Sequence, residues 1–130
     1  QIGKASPAYC TGVGKAALSM LSGDDVRLRV NSIDFQAFTP KTIVTATDLE
    51  AEIGLIASRG FAFDDEEHEA GIHCAAAPIH SPDKSFVGGI SVTAPSYRVS
   101  RQQLEQWVPL VTQAANEINL DIAIKLGPRA

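Results

Sequence analysis

The sequence predicts an α/β (α+β) layer fold, and three observations predict it. Two helix-like segments, beginning at Thr11 and Thr47, carry capping residues at their starts and glycines beyond their ends. Two apolar runs, Ile72 to His80 and Phe86 to Ala94, are joined by Ser81-Pro82-Asp83-Lys84-Ser85, which has the composition of a hairpin turn. A last segment repeats apolar residues at helical spacing for more than five turns. Strands interleaved with helices pack as layers around one core.

Thr11 caps the first helix, which runs through Lys15-Ala16-Ala17-Leu18-Ser19-Met20-Leu21 and has Gly23 at its expected left-handed end. Asp24-Asp25 opens a weaker amphipathic segment through Val26, Leu28, Val30 and Ile33, and Thr39-Pro40-Lys41-Thr42 breaks the pattern. From Thr47, a helix sets Leu49, Ile53, Ile56 and Ala57 on one face, with Arg59 in its last turn and Gly60 as its stop. Phe61-Ala62-Phe63 reads as a short strand, and Asp64-Asp65-Glu66-Glu67-His68-Glu69 as an acidic connection ending at Gly71. The hairpin follows. Ser100 caps the closing helix, whose apolar face holds Leu104, Trp107, Leu110, Val111, Ala114, Ile118 and Ile122. Pro109 kinks or restarts that helix, because its ring removes a backbone donor, and Gly127-Pro128 ends it.

Composition narrows the function. The 130 residues are 45% hydrophobic and 20% charged, which fits one globular domain with a real core. Eleven Lys+Arg against fifteen Asp+Glu give a net charge of -4 without a basic stripe, a poor match to nucleic acid. No apolar run is long enough to span a membrane. Two cysteines are too few for a disulfide framework, which points to a reducing cytoplasm. The chain opens on Gln1 without a signal-like segment, and it reads as a piece of something longer.

Three groups of residues could carry chemistry. Gly12 and Gly14 enter the first helix, where uncovered backbone N–H groups suit a carboxylate or phosphate, although the P-loop spacing is absent and the glycines could equally serve close packing. Ser91 and Thr93 share one face of the second hairpin strand, and Cys74 joins that face only if hairpin partners sum to an odd number such as 165 or 167. Such small hydroxyl residues either line a compact polar pocket or merely cover the sheet. Asp64, directly after the Phe61–Phe63 strand, could point inward, and burial would raise its pKa. A cysteine enzyme would need a base at Cys74, but His73 faces the other way and nothing fixes His68 or His80. Asp64, His68, His73 and Cys74 lack a strong zinc spacing, so no catalytic residue, metal or cofactor is assigned.

Together these segments resemble the effector-binding domain of IclR-type bacterial transcription regulators. The resemblance rests on Cys10-Thr11-Gly12-Val13-Gly14-Lys15-Ala16, Thr39-Pro40-Lys41-Thr42, Arg59 to Glu67, Gly71 to Ile79, Gly89 to Pro95, Arg98 and Leu126-Gly127, in order through essentially the whole chain. It implies a GAF-like domain with a mostly antiparallel sheet flanked by helices, binding a small carboxylate metabolite. It also implies that 1–130 is the C-terminal effector-binding portion, with the domain's first strands and an N-terminal winged helix-turn-helix lying outside it. DNA would then be contacted only through that other module, by a cytoplasmic homodimer or homotetramer. The effector positions implied are the backbone at Gly12 and Val13, then Asp64, Cys74, Ser91 and Thr93, where Thr93 adds a methyl at a position often occupied by serine. Competing expectations are an oligomerisation module without a ligand and a Cys74-dependent enzyme.

Overall fold

The computed structural model describes residues 7–126. A 3-10 turn at Ala8–Cys10 leads into α1 (Gly12–Leu18), α2 (Gly23–Asn31) and α3 (Ala46–Arg59). Then come β1 (Ala62–Asp65), β2 (Ile72–His80), β3 (Val87–Pro95) and α4 (Arg101–Leu126). The three strands form one antiparallel sheet in the order β1-β2-β3.

Side-chain caps decide where the helices begin. Thr11, Ser22 and Thr45 accept from the amides of Gly14, Asp25 and Asp48, satisfying donors that have no partner within the helix. At α4, Ser100 Oγ accepts from the Gln103 amide at 3.1 Å while Gln103 Oε1 accepts from the Ser100 amide at 2.9 Å, a reciprocal capping box. Two expected boundaries move. Thr45 rather than Thr47 caps α3, which places Thr47 within the first turn. α1 stops at Leu18, and Gly23 opens α2 behind its Ser22 cap instead of closing the helix before it. Gly60, at φ 87°, ends α3 as expected. Pro109 lies inside a single helix from Arg101 to Leu126, so it does not restart α4. Gly127-Pro128 falls outside the described residues.

The hairpin pairs Cys74 with Thr93 and Ala76 with Ser91, so that partners sum to 167. Alternation then separates two faces. On one, Ala62 and Ala76 pack with Ala16 of α1 and Ile56 of α3. On the other, Phe63 and Ala75 meet Leu104, while Ala77 meets Val111 and Ala115 of α4. The alanine run of β2 lets helices approach from both sides. Pro78 cannot donate to the ladder; nearby, α4 supplies Asn119, which donates to the Pro78 carbonyl at 3.3 Å and accepts from the His80 amide at 2.8 Å. A further cluster of Tyr9, Cys10, Leu18, Val26, Val30, Leu49 and Ile53 binds α1, α2 and α3 together. Not all of the predicted α4 face is interior: Leu104 and Val111 are buried, whereas Leu110 is exposed.

Candidate functional site

The start of α1 sits directly on the β2–β3 face. A Cβ on Gly12 would lie 2.6 Å from Cys74 Sγ and 3.1 Å from Ala76 Cβ. A Cβ on Gly89 would lie 3.0 Å from the Val13 carbonyl oxygen. Glycine at both positions permits this close packing; Gly12 itself is buried against the sheet, while Val13 beside it is exposed at the helix start. The Thr11 side chain takes the Gly14 amide, and Lys15 N–H closes on the Thr11 carbonyl at 3.0 Å. The first-turn amides of Gly12 and Val13 stand ahead of that ladder.

Asp64 and Cys74 are register partners on this same face, and Cys74 is paired on its other side with Thr93. The backbone thus brings Gly12, Asp64, Cys74, Ser91 and Thr93 to one side of the sheet. Their environments differ. Asp64 and Cys74 are buried, while Ser91 and Thr93 are exposed on the outer strand. Asp64 belongs to β1 itself, which extends to Asp65, rather than to the connection after it. Its Oδ1 accepts from the Glu67 amide at 2.8 Å. Burial raises its pKa above the ordinary carboxylate value, against the opposing pull of that amide and of Lys15 and His68. Desolvation and the nearby Asp64 charge push the Cys74 thiol up to about 11, so at neutral pH it is a protonated, poor nucleophile.

Among the described residues, no histidine is placed to activate Cys74. His73 lies on the opposite face, buried, and its Nε2 has no partner among the described residues. His68 packs edge-on against Phe38 with ring centroids 5.1 Å apart, and His80 Nδ1 lies 2.9 Å from the Ser81 carbonyl oxygen. No cluster of metal-ligating side chains occurs among the described residues, and no helix among them is long and apolar enough to cross a membrane.

Sequence reading missed the strongest electrostatic feature. Lys15 is fully buried, and its Nζ donates to Glu52 Oε2 at 3.0 Å, the Phe63 carbonyl at 2.6 Å and the Glu67 carboxylate at 2.9 and 3.0 Å. Glu67 also accepts from the Asp65 amide at 3.1 Å. The Thr39-Pro40-Lys41-Thr42 segment grips the same turn: Thr39 Oγ1 donates to the Glu66 carbonyl and Thr42 Oγ1 to that of Glu67. These bonds hold Glu66 at a positive φ of 56°. A signal was available: a lysine on the inward face of a short apolar helix must find carboxylates, and the acidic run after β1 supplies one. A polar cleft of about 490 Å³ shares Glu52 and Glu67 with this Lys15 hub and lies along the outer edge of β1, lined also by Lys41, Arg59, Asp65 and Arg101.

Comparison with known proteins places the chain. A family model described as bacterial transcriptional regulator IclR C-terminal matches residues 1–120. The transcriptional repressor IclR of Escherichia coli is 32% identical over 119 residues, which cover 92% of this chain and 43% of the repressor. A putative transcriptional regulator from Rhodococcus sp. RHA1 superposes with a TM-score of 0.87 at 30% identity, covering 95% of this chain and 51% of that one. The inducer-binding domain of the transcription factor PobR from Acinetobacter, solved as a double mutant with 3-hydroxybenzoic acid, superposes at 0.82 with 25% identity, covering 92% and 69%. The chain thus spans less than half the length of the curated relatives it matches. These relatives are named as regulators and repressors of transcription, not as enzymes.

Proposed function

This chain belongs to the IclR family of bacterial transcriptional regulators, as its C-terminal domain, and from that premise we propose that it senses a small carboxylate metabolite at the face beneath α1. The observation that carries the reading is the convergence of Gly12, Asp64, Cys74 and Thr93 on one side of the sheet. An anionic ligand sets its carboxylate against the Gly12 and Val13 amides and the hydroxyls of Ser91 and Thr93. Asp64 accepts a hydrogen bond from a hydroxyl or hydrated carbonyl at the ligand's other end. A second carboxylate there meets like charge in a desolvated place, which selects for a monoacid. A ligand lacking the matching polar group leaves buried partners unpaired, and that mismatch is the source of discrimination. The related inducer-binding domain that holds 3-hydroxybenzoic acid, a carboxylic acid with one hydroxyl, supports this class of ligand.

The same reading extends to the whole regulator. The exposed hydroxyls on β3 need further chain to enclose them, and strands preceding residue 1 would supply it. The outer edge of β1 is already occupied, since Arg59 Nε caps the Phe61 carbonyl at 2.8 Å and Lys15 caps that of Phe63. A second strand cannot easily add there, so β3 is the edge for completion. A winged helix-turn-helix ahead of the domain would bind DNA in a cytoplasmic homodimer or homotetramer, with the exposed Leu110, Leu120 and Ile124 of α4 available for subunit contact. Ligand binding would bias the arrangement of domains and alter promoter affinity.

The test is thermal unfolding of the intact regulator against small carboxylic acids. A true ligand at a hundred times its dissociation constant adds about 2.7 kcal/mol, a shift of several degrees. The shift should be selective and should disappear in Asp64→Ala or Ser91→Ala. Indifference to every acid, with subunit association intact, would favour an oligomerisation module instead.

A further inference from the structure

Lys15 lies entirely inside the protein, where an ammonium is tolerated only if its donors are met. They are met by three groups on three separate parts of the fold: Glu52 of α3, the Phe63 carbonyl of β1 and Glu67 of the following turn. Two of these contacts bear on Asp64. Phe63 precedes it in the strand, and Glu67 donates its own N–H to Asp64 Oδ1 at 2.8 Å. At its other end Lys15 is one helical turn from Gly12, which is seated on Cys74. A single side chain therefore ties the two ends of the effector site together without lying between them. The hub is also short of positive charge, since one ammonium faces the carboxylates of Glu52 and Glu67. Holding α1 to the sheet would not require this arrangement, because an apolar side chain could fill the same space.

We propose that Lys15 is the positioning residue of the effector site: by clamping Glu67 it holds the Asp64 carboxylate opposite Gly12 and sets how much negative charge a ligand may bring. The inference rests on the effector-binding reading of Gly12 and Asp64. The groups that face Asp64 are Lys15 of α1, Cys10 of the preceding 3-10 turn, Cys74 of β2, and Glu67 and His68 of its own turn, with Glu52 of α3 behind Lys15. Among them, the Glu67 amide, Lys15 and His68 favour the ionised form of Asp64 against its burial, and Lys15 is also the group that holds Glu67 in place.

Two variants of the intact regulator test this. Lys15→Met keeps the length of the side chain without its charge, and Glu67→Gln keeps a hydrogen-bonding group of the same shape. The first measurement is the titration of the Asp64 carboxyl by carbon NMR, without ligand. The midpoint should rise in Lys15→Met and fall in Glu67→Gln. The second is calorimetric binding of pyruvate against malonate, a monoacid against a diacid. Glu67→Gln should narrow the preference for pyruvate several-fold, and it decides the question alone if Lys15→Met does not fold. An Asp64 midpoint and a pyruvate preference that both stay at wild-type values in a folded Glu67→Gln would overturn the proposal. A wild-type protein that binds no acid at all would instead overturn the effector reading, while the Asp64 titration would still show whether Lys15 and Glu67 act on that carboxyl.

Discussion

Gly12 is the position at which a single methyl group should be felt most sharply. The Cβ of Gly12→Ala would lie 2.6 Å from Cys74 Sγ, 3.1 Å from Ala76 Cβ and 3.9 Å from Asp64 Cβ. Attractive contact between such atoms begins at about 3.5 Å, so the overlap with sulfur approaches 1 Å. Relief requires either that Cys74 turn away or that α1 lift from the sheet, and Val13 resting against Gly89 opposes the second. Alanine in place of glycine gains about 0.5–1 kcal/mol inside a helix, less in its first turn. Overpacking a fitted contact costs about 1–3 kcal/mol. The penalty wins, and Gly12→Ala should lose about 1–2 kcal/mol, read as a lower urea midpoint at unchanged m-value. Cys74→Ala removes the sulfur, so in that background the same change should cost at least about 1 kcal/mol less. Strict additivity of the two substitutions, or a Gly12→Ala protein as stable as wild type, would refute the seating of α1 on Cys74.

Further outcomes follow from other parts of the fold. Thr45→Ala removes the α3 cap and should cost about 1 kcal/mol, more than Thr47→Ala, whereas the reverse order would return the cap to Thr47. Burial raises the Asp64 pKa, so the folded protein holds the extra proton in the window above about pH 4, and this carboxyl's contribution to stability falls as pH rises through it. Asp64→Asn keeps an acceptor for the Glu67 amide without the charge; its stability relative to wild type should improve from pH 4 towards neutrality, and a gap independent of pH would contradict the burial argument. Cys10 and Cys74 are both pushed up to about 11, chiefly by burial, so iodoacetamide should label neither in the folded protein at neutral pH and should label both once urea unfolds it. Rapid labelling of folded Cys74 would reopen the enzyme reading.

The sheet and the face it presents were legible because strand alternation is local. Once hairpin partners sum to 167, Cys74, Ser91 and Thr93 share a side without reference to anything else. The cap of α3 was not separable in sequence, since Thr45 and Thr47 both precede an acidic first turn and only the backbone at Thr45 leaves the helical region. The Lys15 hub is hidden from local sequence for a different reason. Its partners Glu52 and Glu67 lie 37 and 52 residues along the chain, and a window of helical periodicity contains neither. The α4 pattern likewise marked Leu110 as inward because spacing alone defines a stripe, whereas the width of the three-stranded sheet decides how much of that stripe is covered.

The central claim, that a small carboxylate binds under the start of α1, is tested most directly by amide NMR of the intact regulator during titration with the acid that stabilises it most. Saturable shifts should concentrate at Gly12, Val13, Ser91 and Thr93. Shifts centred instead on Lys41, Arg59 and Arg101 would move the ligand to the cleft along the β1 edge and contradict the account.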